Sequence, residues 1–390
     1  MREAVIVSAV RTPVGKCGGT LAPVPVEELG AQVVKEAVKR TGINPAEIDE
    51  VIFSNIRGND IRGIARMVTL VAGLPVEVPG ISLDRACSSS LNGFAYASML
   101  IQSGNGDVMV VGGVESDSRA PYILLRPTAA YQVMPPGWGQ DKASPNEPFG
   151  NPNMGITAEN VAEQFKISRE DSDQFALLSH KKAARAWEAG HFDGQILSVT
   201  VPKGKGNSIT FAKDETVRPE TSLTALSALS PVFKKGGIVT AGNSCPMSDG
   251  AACVVVMEKQ KAKSLGLPIL AKFMGYAAAG VDPRIMGTGP VAATKKLFAQ
   301  TRMQMKDVDL VELNEAFAPQ SLACVRELGI EQEKLNVNGG AIALGHPLAA
   351  TGGVLITKMV YELKRRNLGT GLITFCVGGG QGVSVLVEQD

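Results

Sequence analysis

The sequence carries almost no net charge. Its 39 lysines and arginines face 38 aspartates and glutamates. That balance excludes the broad positive field of a dedicated nucleic-acid binder, and leaves room only for small basic patches that hold a phosphorylated ligand. Paired cysteines are also missing. Cys17, Cys87, Cys245, Cys253, Cys324 and Cys376 are scattered, with no C-x-x-C among them. This argues against a zinc ribbon or a disulfide framework and for a reducing, cytoplasmic setting. No apolar run reaches the roughly 18–20 residues of a membrane helix, so no membrane span is expected. The opening stretch, Met1 to Ala9, is too short and too acidic for a signal peptide and reads as a first strand. Histidine is scarce: there are only His180, His191 and His346.

What is present is an alternation of strand-like and helix-like stretches in a chain of 390 residues. At roughly 100–200 residues per domain, that length suggests two or three domains. Ala4–Ser8, Val51–Ser54, Ile81–Leu83 and Asp107–Val111 read as strands. Val26–Thr41, opened by Pro25, has Leu29, Val33, Val34 and Val38 at helical spacing. Leu91–Gln102, Thr157–Phe165 and Arg169–Ala189 read as further helices. Apolar strands separated by helices predict a mostly parallel sheet covered on both faces. From Arg119 to Asn153 the texture changes. Pro121, Pro127, Pro135, Pro136, Pro145, Pro148 and Pro152 crowd a long irregular excursion of the kind that usually has a function. A second irregular segment runs to about Gly242.

The second half echoes the first. Ile48-Asp49-Glu50-Val51 resembles Val308-Asp309-Leu310-Val311. Cys87 follows Asp49 by 38 positions, and His346 follows Asp309 by 37. Each half then runs through a helix to a strand ending in glycines, Gly112-Gly113 and Gly378-Gly379-Gly380. Two related α/β halves with an inserted loop domain fit this spacing; chance alternation in an α/β protein is the other reading.

Four clusters could carry chemistry. Cys87, in Asp84-Arg85-Ala86-Cys87-Ser88-Ser89-Ser90, falls where a strand gives way to a helix, and free N–H groups there favour a thiolate. A lone cysteine is more often a small buried apolar side chain. His346 lies in Gly-rich, nearly uncharged surroundings, Gly339 to Pro347, that suit a base or donor; a satisfied core histidine is the plain alternative. His180 and His191 stand among charged residues and read as solvated. Cys376 opens Cys376-Val377-Gly378-Gly379-Gly380, a turn whose N–H groups could approach an anion closely. Asn314 and Glu315 follow the strand Val308–Leu313. They could orient water or a histidine, although a helix cap is the usual role. No cluster has the look of a metal site.

Taken together and in this order, Asn314-Glu315-Ala316-Phe317-Ala318, Gly339-Gly340-Ala341-Ile342-Ala343-Leu344-Gly345-His346-Pro347 and Cys376-Val377-Gly378-Gly379-Gly380 resemble the thiolase family. So do Arg11-Thr12-Pro13, Gly113-Val114-Glu115-Ser116 and Thr157-Ala158-Glu159-Asn160-Val161-Ala162, so the resemblance spans essentially the whole chain. It implies a five-layered αβαβα fold of two similar α/β halves. Residues 1–118, completed by about 248–267, would form the first half, 119–247 a loop domain over the active site, and 268–390 the second half. It implies Cys87 as the acyl-accepting nucleophile, activated by His346, with the N–H groups of Cys87 and Gly378 facing the oxyanion. Cys376 would move the α-carbon proton, and Asn314, through a water, would help His346 hold the enolate oxygen. Met154, Arg218, Phe233, Ala241, Cys245, Met286, Ala316 and Phe317 would line the site of coenzyme A, which acts as a substrate beside acyl-CoA and not as a permanently bound cofactor; plain core packing is the other reading of the apolar ones. A homodimer or homotetramer is implied.

Departures from the family pattern bear on the substrate. Cys245-Pro246 stands where a serine commonly meets the pantetheine arm. Ala349-Ala350-Thr351 replaces the commoner Gly-Ala-Ser. Asn153 stands where short-chain acetoacetyl-CoA thiolases usually carry histidine. The leading expectation is a 3-ketoacyl-CoA thiolase of acid degradation; the alternative is an acetoacetyl-CoA thiolase working toward condensation. A decarboxylating ketoacyl synthase would want two histidines where only His346 fits. A non-catalytic lipid carrier would be expected to lose part of the catalytic set.

Overall fold

A computed structural model describes residues 2–58, 61–125, 137–138 and 144–390. Pro127, Pro135 and Pro136 of the Pro-rich excursion lie outside the described residues.

The main strands, in chain order, are β1 (Ala4–Arg11), β2 (Glu50–Ser54), β3 (Gly80–Ser82), β4 (Val108–Ser116), β5 (Val199–Gly204), β6 (Asn207–Phe211), β7 (Ser248–Glu258), β8 (Ala271–Gly280), β9 (Leu310–Leu313), β10 (Thr370–Val377) and β11 (Gln381–Glu388). Nine of them make one continuous path in the order β9-β10-β11-β8-β1-β7-β4-β2-β3. The path divides between β8 and β1, which share only the pairs Val5↔Lys272 and Ile6↔Ala271. On one side lies β1-β7-β4-β2; on the other, in mirrored order, β8-β11-β10-β9. The echo seen in the sequence is therefore a repeated half-sheet.

The expectation of a mostly parallel sheet is overturned. Only β2–β3, β2–β4 and β9–β10 pair in parallel. The long central pairs, β1–β7, β4–β7, β8–β11 and β10–β11, are antiparallel. Every residue of β1, β4 and β7 is buried. Helices on both faces make such a strand apolar throughout whichever way it runs, so hydropathy does not reveal direction.

The helices that matter for the site are α1 (Val26–Thr41), α2 (Ile64–Val71), α3 (Ser89–Ser103), α4 (Met154–Phe165), α5 (Arg169–Glu188), α6 (Leu223–Ser227), α7 (Lys259–Ser264), α8 (Gly289–Thr301), α9 (Ala318–Leu328), α10 (Ala341–Leu344) and α11 (Thr351–Arg366). α1 illustrates why the local sequence folds as it does. Pro25 caps it, Glu27 and Glu28 occupy the first turn, Lys39 and Arg40 the last, and Gly42 leaves it in the left-handed region. Each feature matches the helix dipole or its free terminal groups. Its buried stripe includes Leu29, Val33, Val34 and Val38.

α1 and α2 cover the outer face of the first half-sheet, where their side chains join Val51, Val110 and Val255 in one core. α8 and α9 cover the outer face of the second, with Leu297 and Cys324 packed on Val311, Leu372 and Leu386. α3 and α11 lie between the two half-sheets, and Leu91, Phe94, Ile356 and Met359 meet residues from both. The result is five layers, αβαβα. The two central helices cross closely at their starts. A Cβ on Gly352 would lie 2.1 Å from the backbone nitrogen of Leu91, and the Gly353 N–H donates to Ser90 Oγ at 3.0 Å. That crossing brings the residues just before α3 and α11 together.

Between β4 and β7 the chain leaves the sheet. The segment read as irregular up to Gly242 contains regular structure: the β5–β6 hairpin and the short helix α6. Exposed positions on both hairpin strands hide the alternation that would have marked them.

Candidate active site

Cys87 sits two residues before α3 and is half-buried as a residue, with its thiol turned inward. The N–H groups of Gly378 and of Cys87 itself point at it and favour its anion, but burial outweighs them and pushes the thiol up to about 11. The thiolate expected from the helix start is thus not the resting form: desolvation costs the anion more than the nearby N–H groups return. The same two N–H groups would face the oxygen of a carbonyl attached to this sulfur.

His346 is buried. Its Nδ1 lies 2.7 Å from Thr351 Oγ1. That hydroxyl spends its single hydrogen on the carbonyl of Pro347, 2.9 Å away, so it accepts from Nδ1–H. The tautomer follows: Nε2 carries the lone pair. Nε2 faces Asn314 Nδ2 at 3.4 Å. Burial lowers the imidazole to about 4, so it is neutral at pH 7 and free to take a proton. Its backbone N–H is held by Ser248 Oγ at 3.1 Å. Asn314 Oδ1 is buried with no protein partner among the described residues. It is left to accept from a ligand or a water.

Cys376 is buried near the end of β10, ahead of the turn that contains Gly378. Its thiol is pushed well up by burial and by the nearby sulfurs of Cys87, Cys324 and Cys245. The Cys245 thiol is likewise raised by burial first and by Cys87 second. Its backbone N–H donates to Ala316 O at 3.0 Å. Cys87, Cys245 and Cys376 therefore gather in one place. Cys253 is buried within β7, and Cys17 is exposed.

The remaining sequence-predicted residues fall into two neighbouring groups. Met154, Phe233, Met286, Ala316 and Phe317 pack with Cys376 in one apolar cluster, Phe233 meeting Phe317 edge-on at 6.2 Å. Ala241 and Arg218 instead line a cleft of about 640 Å³ with His180, Ser244, Met247 and Ile342. The two are joined through the Ser244-Cys245-Pro246 strip, which bridges to Phe317.

Several expectations are corrected. His180 is not solvated: it is buried, its Nδ1 accepts the Arg218 N–H at 3.2 Å, and burial with the nearby Arg218 charge lowers it to about 4. His191 contacts Asn338 Oδ1 through Nδ1 at 3.1 Å. His191 is half-buried, so only the reading of His180 is overturned; its exposed neighbour Lys181 does not report the burial of the ring. Glu315 does not cap the helix that follows it, whose N-cap position is Phe317. Its carboxylate is buried and accepts from Ser179 Oγ at 2.6 Å, Asn336 Nδ2 at 2.7 Å and the Ile342 N–H at 3.2 Å. It thereby ties the end of β9 to the loop that leads to His346.

Sequence reasoning missed three supporting residues. Thr351 fixes the tautomer of His346; its place at the first turn of a helix, five residues on, was the available signal. Glu115 accepts the N–H groups of Ile56, Arg57 and Ala349 at 3.0–3.2 Å. Burial raises its carboxyl to about 7 against the pull of those N–H groups. Ser248 holds the backbone of His346, and nothing in its local sequence marks it.

Comparison with known proteins agrees with this arrangement. The family model for the thiolase N-terminal domain matches residues 4–260, and that for the thiolase C-terminal domain matches residues 267–389. The chain is 42% identical over 397 residues to an acetyl-CoA acetyltransferase of Cupriavidus necator, with 100% of each covered. It is 42% identical over 394 residues to a probable acetyl-CoA acyltransferase of Staphylococcus aureus, again covering 100% of each. Among solved structures, the Bacillus anthracis acetyl-CoA acetyltransferase superposes with a TM-score of 0.95 at 42% identity, covering 100% of this chain and 99% of that one. Human mitochondrial 3-ketoacyl-CoA thiolase superposes at 0.92 with 37% identity, with the same coverage. A repeated half-sheet that brings Cys87, His346, Asn314 and Cys376 to one crossing, matched over the whole length, makes this chain a member of the thiolase family and an acyltransferase.

Proposed function

We propose that this thiolase cleaves 3-ketoacyl-CoA with coenzyme A, giving acetyl-CoA and a shortened acyl-CoA, through an acyl group carried on Cys87. The observation that carries the reading is the convergence of Cys87, His346, Asn314 and Cys376, with the Gly378 N–H aimed at the Cys87 sulfur. His346 Nε2 takes the Cys87 proton. The sulfur attacks C3 of the substrate, and the N–H groups of Cys87 and Gly378 hold the resulting oxyanion. The C2–C3 bond breaks, leaving the acyl group on Cys87 and an enolate of acetyl-CoA, whose oxygen faces His346 and Asn314. Cys376 gives its proton to C2, and acetyl-CoA leaves. The Cys376 thiolate takes the proton of incoming coenzyme A, whose sulfur attacks the acyl-enzyme. Cys87 departs and recovers its proton from His346. The raised thiols of Cys87 and Cys376 suit this order, because each begins protonated.

We assign residues 119–247 as the loop domain, from which Arg218, Leu226, Ala241 and Ser244 line the cleft, and Met154, Phe233, Met286, Ala316, Phe317, Ala241, Cys245 and Arg218 form the path of coenzyme A. The substrate is longer than acetoacetyl-CoA. Asn153, where short-chain relatives carry histidine, spends its side chain capping α4 by accepting the Ile156 N–H at 2.9 Å. The competing reading, condensation of two acetyl-CoA to acetoacetyl-CoA, is favoured by the names of several relatives. Steady-state cleavage assays with 3-ketoacyl-CoA of increasing chain length separate the two. Higher kcat/KM on medium chains supports degradation; strict preference for acetoacetyl-CoA reverses it. Trapped enzyme digested for mass spectrometry should carry the acyl group on Cys87, and acylation elsewhere with Cys87 free would sink the mechanism.

A further inference from the structure

His180 has no part in the mechanism above, yet its placement is unusual for a buried histidine. It lies on α5, almost wholly enclosed, and forms part of the wall of the 640 Å³ cleft. Its Nδ1 accepts the backbone N–H of Arg218. A ring nitrogen that accepts holds no proton, so the neutral imidazole carries its proton on Nε2. That N–H donates to no group among the described residues, and it is not sealed in like the buried orphan atoms elsewhere in the molecule. It is a donor without a protein partner on the wall of a cleft.

The surroundings say what kind of acceptor suits it. Burial and the neighbouring Arg218 charge both keep the ring uncharged. A neutral donor offers little to a phosphate, which Arg218 itself can take. The lining is mixed: Leu226, Leu229, Met247 and Ile342 are apolar, and Thr216, Thr221 and Ser244 are uncharged and polar. Ser179, the preceding residue, bonds Glu315, beside Asn314, while His180 itself bonds Arg218 on the cleft wall, so this turn of α5 lies between the two. An uncharged acceptor on an extended, mostly apolar arm fits this position.

We propose that His180 Nε2–H donates a hydrogen bond to an amide carbonyl of the pantetheine arm of coenzyme A, making His180 a specificity-determining residue for the arm apart from the nucleotide. The inference rests on the coenzyme A reading given above.

The test uses the full-length enzyme with two thioesters, acetoacetyl-CoA and acetoacetyl-pantetheine, which lacks the nucleotide and its phosphates. H180F and H180M remove the donor, and H180Q retains one. The expected result is a KM raised about three- to tenfold in H180F and H180M for both thioesters, the span of one net hydrogen bond, with kcat little changed and KM largely restored in H180Q. A defect seen with acetoacetyl-CoA but absent with acetoacetyl-pantetheine would overturn the proposal, since His180 would then act on the nucleotide or through Arg218. Unchanged KM in both donor-less variants would overturn it equally. A nitrogen-15 shift of His180 Nε2 in the wild-type enzyme on saturation with pantetheine provides a measurement independent of any variant's folding; no shift counts against the proposal. Wild-type enzyme inactive on both thioesters would instead sink the functional reading.

Discussion

The two halves of the molecule share a framework, and on the mechanism proposed above they divide the chemistry. β1-β7-β4-β2 in the first half and β8-β11-β10-β9 in the second follow one path. Even irregularities repeat: the register slips between Ile6 and Ser8 in the pairing of β1 with β7, and between Phe273 and Gly275 in that of β8 with β11. Asp49 accepts the N–H groups of Asp107 and Val108 at the start of β4, and Asp309 accepts those of Gly369 and Thr370 at the start of β10. The active groups do not repeat. Two residues before α3 stands Cys87; two before α11 stands Ala349, with His346 three residues earlier. After β2, Asn55 bonds Glu115; after β9, Asn314 faces His346. Near the end of β10 is the thiol of Cys376, while β4 ends in Glu115-Ser116. The fold supplies two similar crossings and the sequence loads them differently. On the proposed mechanism the first provides the nucleophile, and the second moves its protons.

This division can be broken most severely at the nucleophile. Cys87→Ala should abolish both acyl-enzyme formation and carbon–carbon cleavage, lowering turnover by roughly ten-thousandfold or more. Residual acylation on Cys245 or Cys376 in that variant would mean that the first half does not hold the nucleophile alone. Cys376→Ser in the second half should be milder and selective. A serine hydroxyl is far too weak an acid near pH 7 to replace the thiol, so deuterium exchange into acetyl-CoA should slow about a hundredfold or more. Acyl exchange between acyl-CoA and Cys87 should continue. Equal loss of both would show that the halves are not separable by step.

Thr351→Val acts one shell further out. It leaves the His346 Nδ1–H without an acceptor, at a cost of about 1–3 kcal/mol, so kcat should fall about tenfold. The pH profile sharpens the assignment. Because burial lowers His346 to about 4, the base is lost only as pH falls toward that value, and activity owed to it should hold down to about pH 5. An inflection near 7 that disappears in Glu115→Gln belongs to Glu115, whose carboxyl burial raises to about 7. An inflection near 6.5 that survives Glu115→Gln but vanishes with His346→Ala contradicts the buried, neutral base.

Much of this comparison was legible in the sequence, for identifiable reasons. Val26–Thr41 has matching caps, charges and a single apolar stripe, and its bounds are those of α1. The helices after Ser88 and around Thr157 were equally marked. The Asp49 and Asp309 echo reflected a real duplication, although Cys87 and His346 do not occupy equivalent positions. Strand direction was not legible, because burial on both faces erases alternation. Nor were the partners of single polar residues. Glu315, Thr351 and His180 acquire their roles from groups distant in the chain, such as Ser179 for Glu315 and Arg218 for His180. No local pattern records those contacts.

The smallest expected effects test whether the repeated framework is mechanically equivalent in the two halves. Asp49 and Asp309 each use one carboxylate oxygen to accept two backbone N–H groups, at 2.6 and 2.9 Å for Asp49 and at 2.9 Å twice for Asp309. Replacing either with alanine removes charge-assisted bonds that pin the start of an inner strand. Neither residue touches the site, so turnover per folded molecule should be unchanged. Their settings differ, however. Asp49 is exposed, but the donors it serves are less so: Asp107 is half-buried and Val108 buried, so water reaches the freed N–H groups poorly. Asp309 is half-buried, yet its donors Gly369 and Thr370 are exposed and half-buried, so water can replace it there. Asp49→Ala should therefore cost about 1–2 kcal/mol of unfolding free energy and Asp309→Ala about half of that or less, read from urea midpoints at constant slope. The double variant should show an additive loss, because the two caps lie in different half-sheets with no shared partner. A larger loss from Asp309→Ala would mean that the exposure of the freed donors does not set the difference, and that the second half-sheet depends on its cap more than the first.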